Sequence, residues 1–221
     1  IIVKGQEHEN KNNIEKKIIG KWGGKLIFSS GEANLSSIDF INREFAGQEN
    51  NSVKHDKSFL NRHQLSSKDF LQTLNKFKKK KVLVIGDSII DEYIGTQPVG
   101  MSQEDPTIVV TTLDNKLFIG GASIVAAHAS SLGANSKIIT IAGQDKSMKF
   151  LTKELKKVGV HSKIIIDDSR PTTIKKRYRT SEKTLFRVNI QDQRPISKII
   201  QNKIFLEFKK DIKKTDLLML S

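Results

Sequence analysis

The chain has 221 residues, of which 37% are hydrophobic and 28% charged, enough for one large domain or two small ones with buried cores. It contains no cysteine, which excludes disulfides and thiolate metal sites and fits a reducing cytoplasm, and no apolar run approaches membrane-spanning length. The 38 Lys and Arg against 24 Asp and Glu leave a net charge of +14 that attracts phosphate; with 6% aromatics, none interleaved with arginines, the chain lacks a base-stacking platform, which speaks against nucleic acid as the partner.

The chain opens on the β-branched triplet Ile1-Ile2-Val3, without the basic-then-apolar layout of a signal peptide, and reads as if cut inside a strand. Ile14, Ile18 and Trp22 mark one face of a helix ended by Gly23-Gly24, and a strand follows over 25–28. Residues 35–42 look like a serine-capped helix start. A first domain over 1–47 is therefore expected, then a linker rich in Asn, Gln, His and Ser. The segment 48–79 closes with an amphipathic helix. Ser66 and Asp69 form its capping box, Phe70, Leu71, Leu74 and Phe77 its apolar side, and the Lys78–Lys81 run lies at its C-terminal end, where cations complement the helix dipole.

From residue 80 to 221 strand and helix patterns alternate. Strands are expected over 82–85, 107–112 and 116–119, the last two as a hairpin turned at Asp114-Asn115. A helix with Ala122, Val125, Ala126, Ala129 and Leu132 along one stripe ends at Gly133. Then come a strand over 137–141, a helix over 147–158 stopped by Gly159, and a strand over 163–166. A second hairpin over 172–179 and 184–189, a helix over 195–210 and a strand over 217–220 complete the chain. The alternation predicts an α/β fold with a parallel sheet, helices on its faces, and the hairpins as a lid.

Three segments are candidates for chemistry. Asp87 and Asp91 follow the strand 82–85, at the carboxyl edge where open α/β sheets bind ligands, although such an Asp also serves as a turn or cap residue. Gly120-Gly121, between a strand and a helix, permits close approach of backbone to a ligand, or is simply a tight turn; it is neither G-x-G-x-x-G nor a P-loop. Lys175 and Arg177 share one face of a strand and there face either a phosphate or solvent.

In this order, the stretches G-D-S-I-I-D-E-Y, S-Q-E-D-P, G-G-A-S-I-V-A-A-H-A-S-S-L-G-A and P-T-T-I-K-K-R resemble the PfkB (ribokinase-like) carbohydrate kinases. They look most like the kinase part of bifunctional heptose kinase/nucleotidyltransferases. The resemblance implies a ribokinase-like sheet, here incomplete, with a β-hairpin lid that also serves in forming a homodimer. It implies further that Asp91, with Asp87 and the Gly120-Gly121 pair, holds sugar hydroxyls, that Lys175 and Arg177 face the phosphate of a sugar phosphate, and that ATP and Mg2+ serve the complete kinase. Ile124 and His128 depart from the family, which often has asparagine at both places. A second resemblance, through V-K-G-Q-E, G-G-K-L-I-F and L-S-S-I, is to the end of a cytidylyltransferase-like domain, a small α/β fragment in which Ser36 and Ser37 would bind nucleotide phosphate. Helix capping is the competing role for both serines.

Neither the G-x-G-D motif that carries the family's catalytic base nor the H-x-G-H of nucleotidyl transfer occurs. The expectation is thus a kinase fragment without catalytic or metal-ligating residues of its own, inactive alone and cytoplasmic. The alternatives are a basic phosphate- or nucleic-acid-binding module and a non-functional truncated product.

Overall fold

The computed structural model describes residues 1–5, 9, 13–29, 62, 64, 66–180 and 183–221. Two compact units emerge, Ile1–Lys57 and Ser58–Ser221. The expected helix start at 35–42, with Ser36 and Ser37, lies outside the described residues, as does the segment 48–65 apart from Arg62 and Gln64.

In the first unit, β1 (Ile2–Lys4) and β2 (Leu26–Phe28) pair in parallel, with Ile2 opposite Leu26. Helix α1 (Ile14–Gly20) makes the crossover that a parallel pair requires. The Lys4 ammonium anchors it by donating to Asn13 Oδ1 at 2.9 Å and Glu15 Oε1 at 3.1 Å.

The second unit begins with α2 (Ser67–Phe77). Its capping box forms as expected: Asp69 N donates to Ser66 Oγ at 3.2 Å, and Ser66 N to Asp69 Oδ2 at 2.9 Å. Of its apolar side, Leu74 and Phe77 are half-buried, whereas Phe70 and Leu71 are exposed.

A four-stranded parallel sheet follows, ordered β10-β3-β6-β7, with β3 at Lys81–Ile85, β6 at Asn135–Ala142, β7 at His161–Ile166 and β10 at Leu217–Leu220. Its strands are short apolar runs because both faces are covered. Val82, Val84 and Ile138 meet the alanines of α3 (Ala122–Ser131) and Leu151 and Leu155 of α4 (Lys146–Lys157). The intervening Leu83, Ile139 and Ile165 point the other way, onto Ile200, Ile204 and Phe208 of α5 (Lys198–Ile212). This alternation is the two-residue period of a strand. Helix α5 starts at Lys198 rather than at residue 195, because Ser197 is the residue whose hydroxyl accepts from the first turn, from Ile200 N at 3.3 Å.

The hairpins do not stand apart. β4 (Ser88–Met101) and β5 (Ile108–Gly121) pair antiparallel, β8 (Ile174–Arg179) and β9 (Thr184–Ile190) likewise, and β4 joins β8 in parallel, giving one sheet ordered β5-β4-β8-β9. Two expectations are corrected here. The hairpin at Asp114-Asn115 does not form, because β5 runs unbroken along β4. Gly95 faces Asp114 and Thr96 faces Thr112, so Leu113 is the extra residue of a bulge. A Cβ at Gly95 would collide with Asp114 Oδ1, so this glycine makes the room in which Asp114 stays in the strand. The turn instead spans 102–107, held by Ser102 N donating to Thr107 O at 2.8 Å. In the second correction, only Asp87 lies in the break after β3, while Asp91 sits within β4.

Leu151 is fully buried in the cluster between α4 and the parallel sheet. Leu151→Ala is expected to cost about 2–5 kcal/mol, read as a lower urea midpoint at unchanged slope. A loss below about 1 kcal/mol would mean that α4 does not pack as described.

Candidate functional site

Three of the sequence-predicted residues, Asp91, Gly120 and Gly121, line a cavity of about 930 Å³. Its walls come from the first part of β4 (Asp91, Tyr93, Gly95), the end of β5 (Asp114, Lys116, Phe118, Gly120, Gly121), the start of α3 (Ile124) and the end of β8 (Arg179).

Pairing puts these residues in place. In β4 the odd-numbered residues Asp91, Tyr93 and Gly95 line the cavity, while Ile90, Glu92 and Ile94 turn inward and are buried. Glu92 is satisfied there by Asn115 Nδ2 at 2.7 Å and Lys176 Nζ at 3.2 Å. The start of β4 is clamped: Ser88 N donates to Thr140 Oγ1 at 3.0 Å, and the Ser88 and Ser123 hydroxyls share a hydrogen bond of 2.5 Å. Ala122 N at the head of α3 donates to Asp87 O at 2.9 Å. Asp87 thus serves through its carbonyl; the residue lies outside the cavity lining.

Both glycines are required by space. A Cβ at Gly120 would collide with Asp91 Oδ2, so the carboxylate lies directly over the backbone of β5. Gly121 has φ +59, in the left-handed region, and a Cβ there would strike Asp87 O. Asp91, Gly120 and Gly121 are therefore brought together.

The cations of β8 divide. Lys175 stands opposite Asp91 in register, and Arg177 forms an ion pair with the Asp91 carboxylate, both side chains about a fifth exposed. Neither Lys175 nor Arg177 is part of the cavity lining, but Arg179, two residues on, is. The guanidinium carbons of Arg177 and Arg179 lie 5.2 and 5.8 Å from the centre of the Tyr93 ring, whose edge contact with Phe118 is 5.6 Å between centres at 82°. Tyr93, Phe118 and Arg179 were not among the expected residues. Continuing the two-residue alternation from Asp91 and from Arg177 is the signal that would have found two of them. Ile124 lines the cavity, and His128, one turn further along α3, is exposed and outside it.

A second polar network carries the chain from the parallel sheet to β8. Asp145 caps α4 by accepting from Met148 N at 2.9 Å, and it also accepts from Thr172 N and Thr172 Oγ1, each at 2.9 Å. Thr172 Oγ1 in turn accepts from Gly143 N at 3.1 Å. Burial raises the Asp145 pKa, but the hydrogen bonds from Thr172, Met148 and Ser147 outweigh it and hold the carboxyl below its ordinary 3.8. Among the described residues no group of three or more His, Cys, Asp or Glu side chains could hold a metal ion.

A lowered folded-state pKa means that Asp145 stabilises the fold above its unfolded pKa, and that this contribution is lost as pH falls through the folded value. Asp145→Asn is expected to cost about 1 kcal/mol near neutral pH and to flatten the acid limb of stability. Urea midpoints from about pH 7 to about pH 3 test this; parallel acid limbs in the two proteins would remove Asp145 as a source.

No protein-family model matches the chain. Among curated proteins it is 33% identical over 143 residues to the bifunctional protein HldE of a Nitratiruptor species, covering 65% of this chain and 31% of that protein. It is 31% identical over 156 residues to HldE of Bradyrhizobium sp. (strain ORS 278), covering 69% and 32%. The chain thus spans about a third of the length of these relatives. Among solved structures, Sa239 superimposes with a TM-score of 0.51 at 17% identity, over 64% of this chain and 45% of that one. Arabidopsis thaliana ribokinase, solved with ribose and ATP, gives a TM-score of 0.47 at 16% identity over 64% and 45%.

Proposed function

We propose that residues 80–221, in a chain 31–33% identical to part of the bifunctional protein HldE, are the sugar-recognising part of a ribokinase-like (PfkB) carbohydrate kinase. Its substrate is a sugar phosphate of the heptose 7-phosphate kind, and its phosphoryl donor is ATP with Mg2+. The observation that carries this reading is the Asp91 carboxylate lying over Gly120 at the wall of the cavity.

A carboxylate accepts hydrogen bonds only, and two oxygens match two neighbouring sugar hydroxyls. The missing side chains at Gly120 and Gly121 let a sugar ring approach the backbone at the head of α3. Arg177, by its ion pair with Asp91, fixes the carboxylate's direction. Lys175 stands beside the same carboxylate on β8 and adds positive potential toward the phosphate. Phosphoryl transfer rests on positioning and on electrostatic stabilisation of the moving group. Asp91, the glycine pair and the cations of β8 contribute the first of these. ATP with Mg2+ supplies the phosphoryl group when bound.

In the same reading, residues 1–47 belong to a nucleotidyltransferase-like domain in which Ser36 and Ser37 contact nucleotide phosphate, and the whole protein works in nucleotide-sugar synthesis in the cytoplasm. Among the described residues no helix is long and apolar enough to cross a membrane. The sheet β5-β4-β8-β9 serves as the lid, and exposed Val99, Met101 and Ile108 near its tip offer a face to a second copy. Sedimentation at the mass of a pair is expected; a single-chain mass at high concentration would remove the homodimer from the proposal.

Isothermal titration of the chain with heptose 7-phosphate is expected to give saturable heat. Asp91→Asn and Gly120→Ala are each expected to weaken binding by about tenfold or more, with circular dichroism showing both variants folded. Absence of saturable heat with every heptose and hexose phosphate tried would overturn the reading.

A further inference from the structure

Resting on the sugar-phosphate reading above, we infer that Arg179 receives the anionic substituent of the substrate and sets the preference for a phosphorylated over a free sugar. Strand β8 lays Lys175, Arg177 and Arg179 on one face, opposite Asp91, Tyr93 and Gly95 of β4. These cations are not equivalent. The charge of Arg177 is met by Asp91, and Lys175 is outside the cavity lining. Arg179 is exposed, lines the cavity, and has no ion pair among the described residues.

Each carboxylate of the cavity wall already has a cation beside it, one from outside the lining and one from within. Asp91 pairs with Arg177, and Asp114, which leans over Gly95, lies 3.6 Å from the ammonium of Lys116. Of the two cations in the lining, Lys116 and Arg179, the second has no carboxylate partner among the described residues, so the cavity suits a neutral polyol carrying a negative group. Arg179 is also held ready. Its carbonyl accepts from Thr96 Oγ1 at 2.9 Å, which fixes the backbone, and its guanidinium lies 5.8 Å from the centre of the Tyr93 ring. Across the sheet Gly95 contributes no side chain to cover it. A guanidinium in this setting presents a planar fork that matches two phosphate oxygens.

Geometry also limits where the phosphate sits on the substrate. Asp91 and the register partner of Arg179 are four residues apart on β4, about 13 Å along the strand. The length of the arginine side chain spans part of that distance. The phosphate is therefore carried at the end of the sugar remote from the hydroxyls that Asp91 holds.

The test compares heptose 7-phosphate with unphosphorylated heptose by isothermal titration of the full chain, with Arg179→Ala, Arg179→Lys and Lys175→Ala as variants. Wild type is expected to bind the phosphorylated sugar more tightly. Arg179→Ala is expected to shrink that ratio about 10- to 100-fold, the size of a lost charge-assisted contact, and Arg179→Lys to restore part of it. An unchanged ratio in Arg179→Ala, or a ratio lost in Lys175→Ala instead, overturns the assignment. If wild type binds both sugars alike, the assignment falls while the sugar-binding reading stands; if it binds neither, both fall.

Discussion

The ion pair between Asp91 and Arg177 is the contact on which the site depends. It ties the two hairpins together across the parallel seam of β4 and β8, and it aims a carboxylate at the backbone of a third strand. Taken alone, a partly buried pair adds little net stability, because desolvation offsets much of the attraction. Its value here is directional. With Arg177 on one side and the bare backbone of Gly120 on the other, the carboxylate has one place to lie. Cavity shape and charge both follow from that placement.

This arrangement has to be carried on something rigid. The parallel sheet supplies it, since α3 and α4 on one face and α5 on the other bury the middle of its central strands. Two polar links then transmit its position to the second sheet. Ser88, Ser123 and Thr140 hold the root of β4, and Asp145 with Thr172 holds the approach to β8. Each link is a short side chain bonded to backbone or hydroxyl, and each fixes a strand at the end where it enters the cavity wall.

Local signals made much of this readable from the residues. The capping box at Ser66, the alanine stripe of α3 and the stop glycines 133 and 159, with φ +98 and +72, mark helix ends without knowledge of any partner. What failed to show were features that depend on pairing. Asp114-Asn115 reads as a turn, yet a strand lies alongside and the bare Gly95 accommodates it. The sequence puts Asp91 just past a strand rather than within one, because the extended run of β4 after Asp87 becomes evident only beside β5 and β8. Strand alternation puts Lys175 and Arg177 on one face, but a strand's own period cannot say which cation a carboxylate on the next strand will claim. Ser36 and Ser37 fall outside the described residues.

The extra residue at Leu113 has a wider effect. Side chains on β5 from Asp114 to Gly120 keep one phase relative to β4, and the count restarts beyond the bulge. The outer arm of the hairpin, including the 102–107 turn, is thereby decoupled from the inner arm that faces the cavity. Gaining or losing residues at the tip need not flip Asp91 or Gly120 to the opposite side. The hairpin behaves as two modules in series, a base of fixed geometry and a freely adjustable extension.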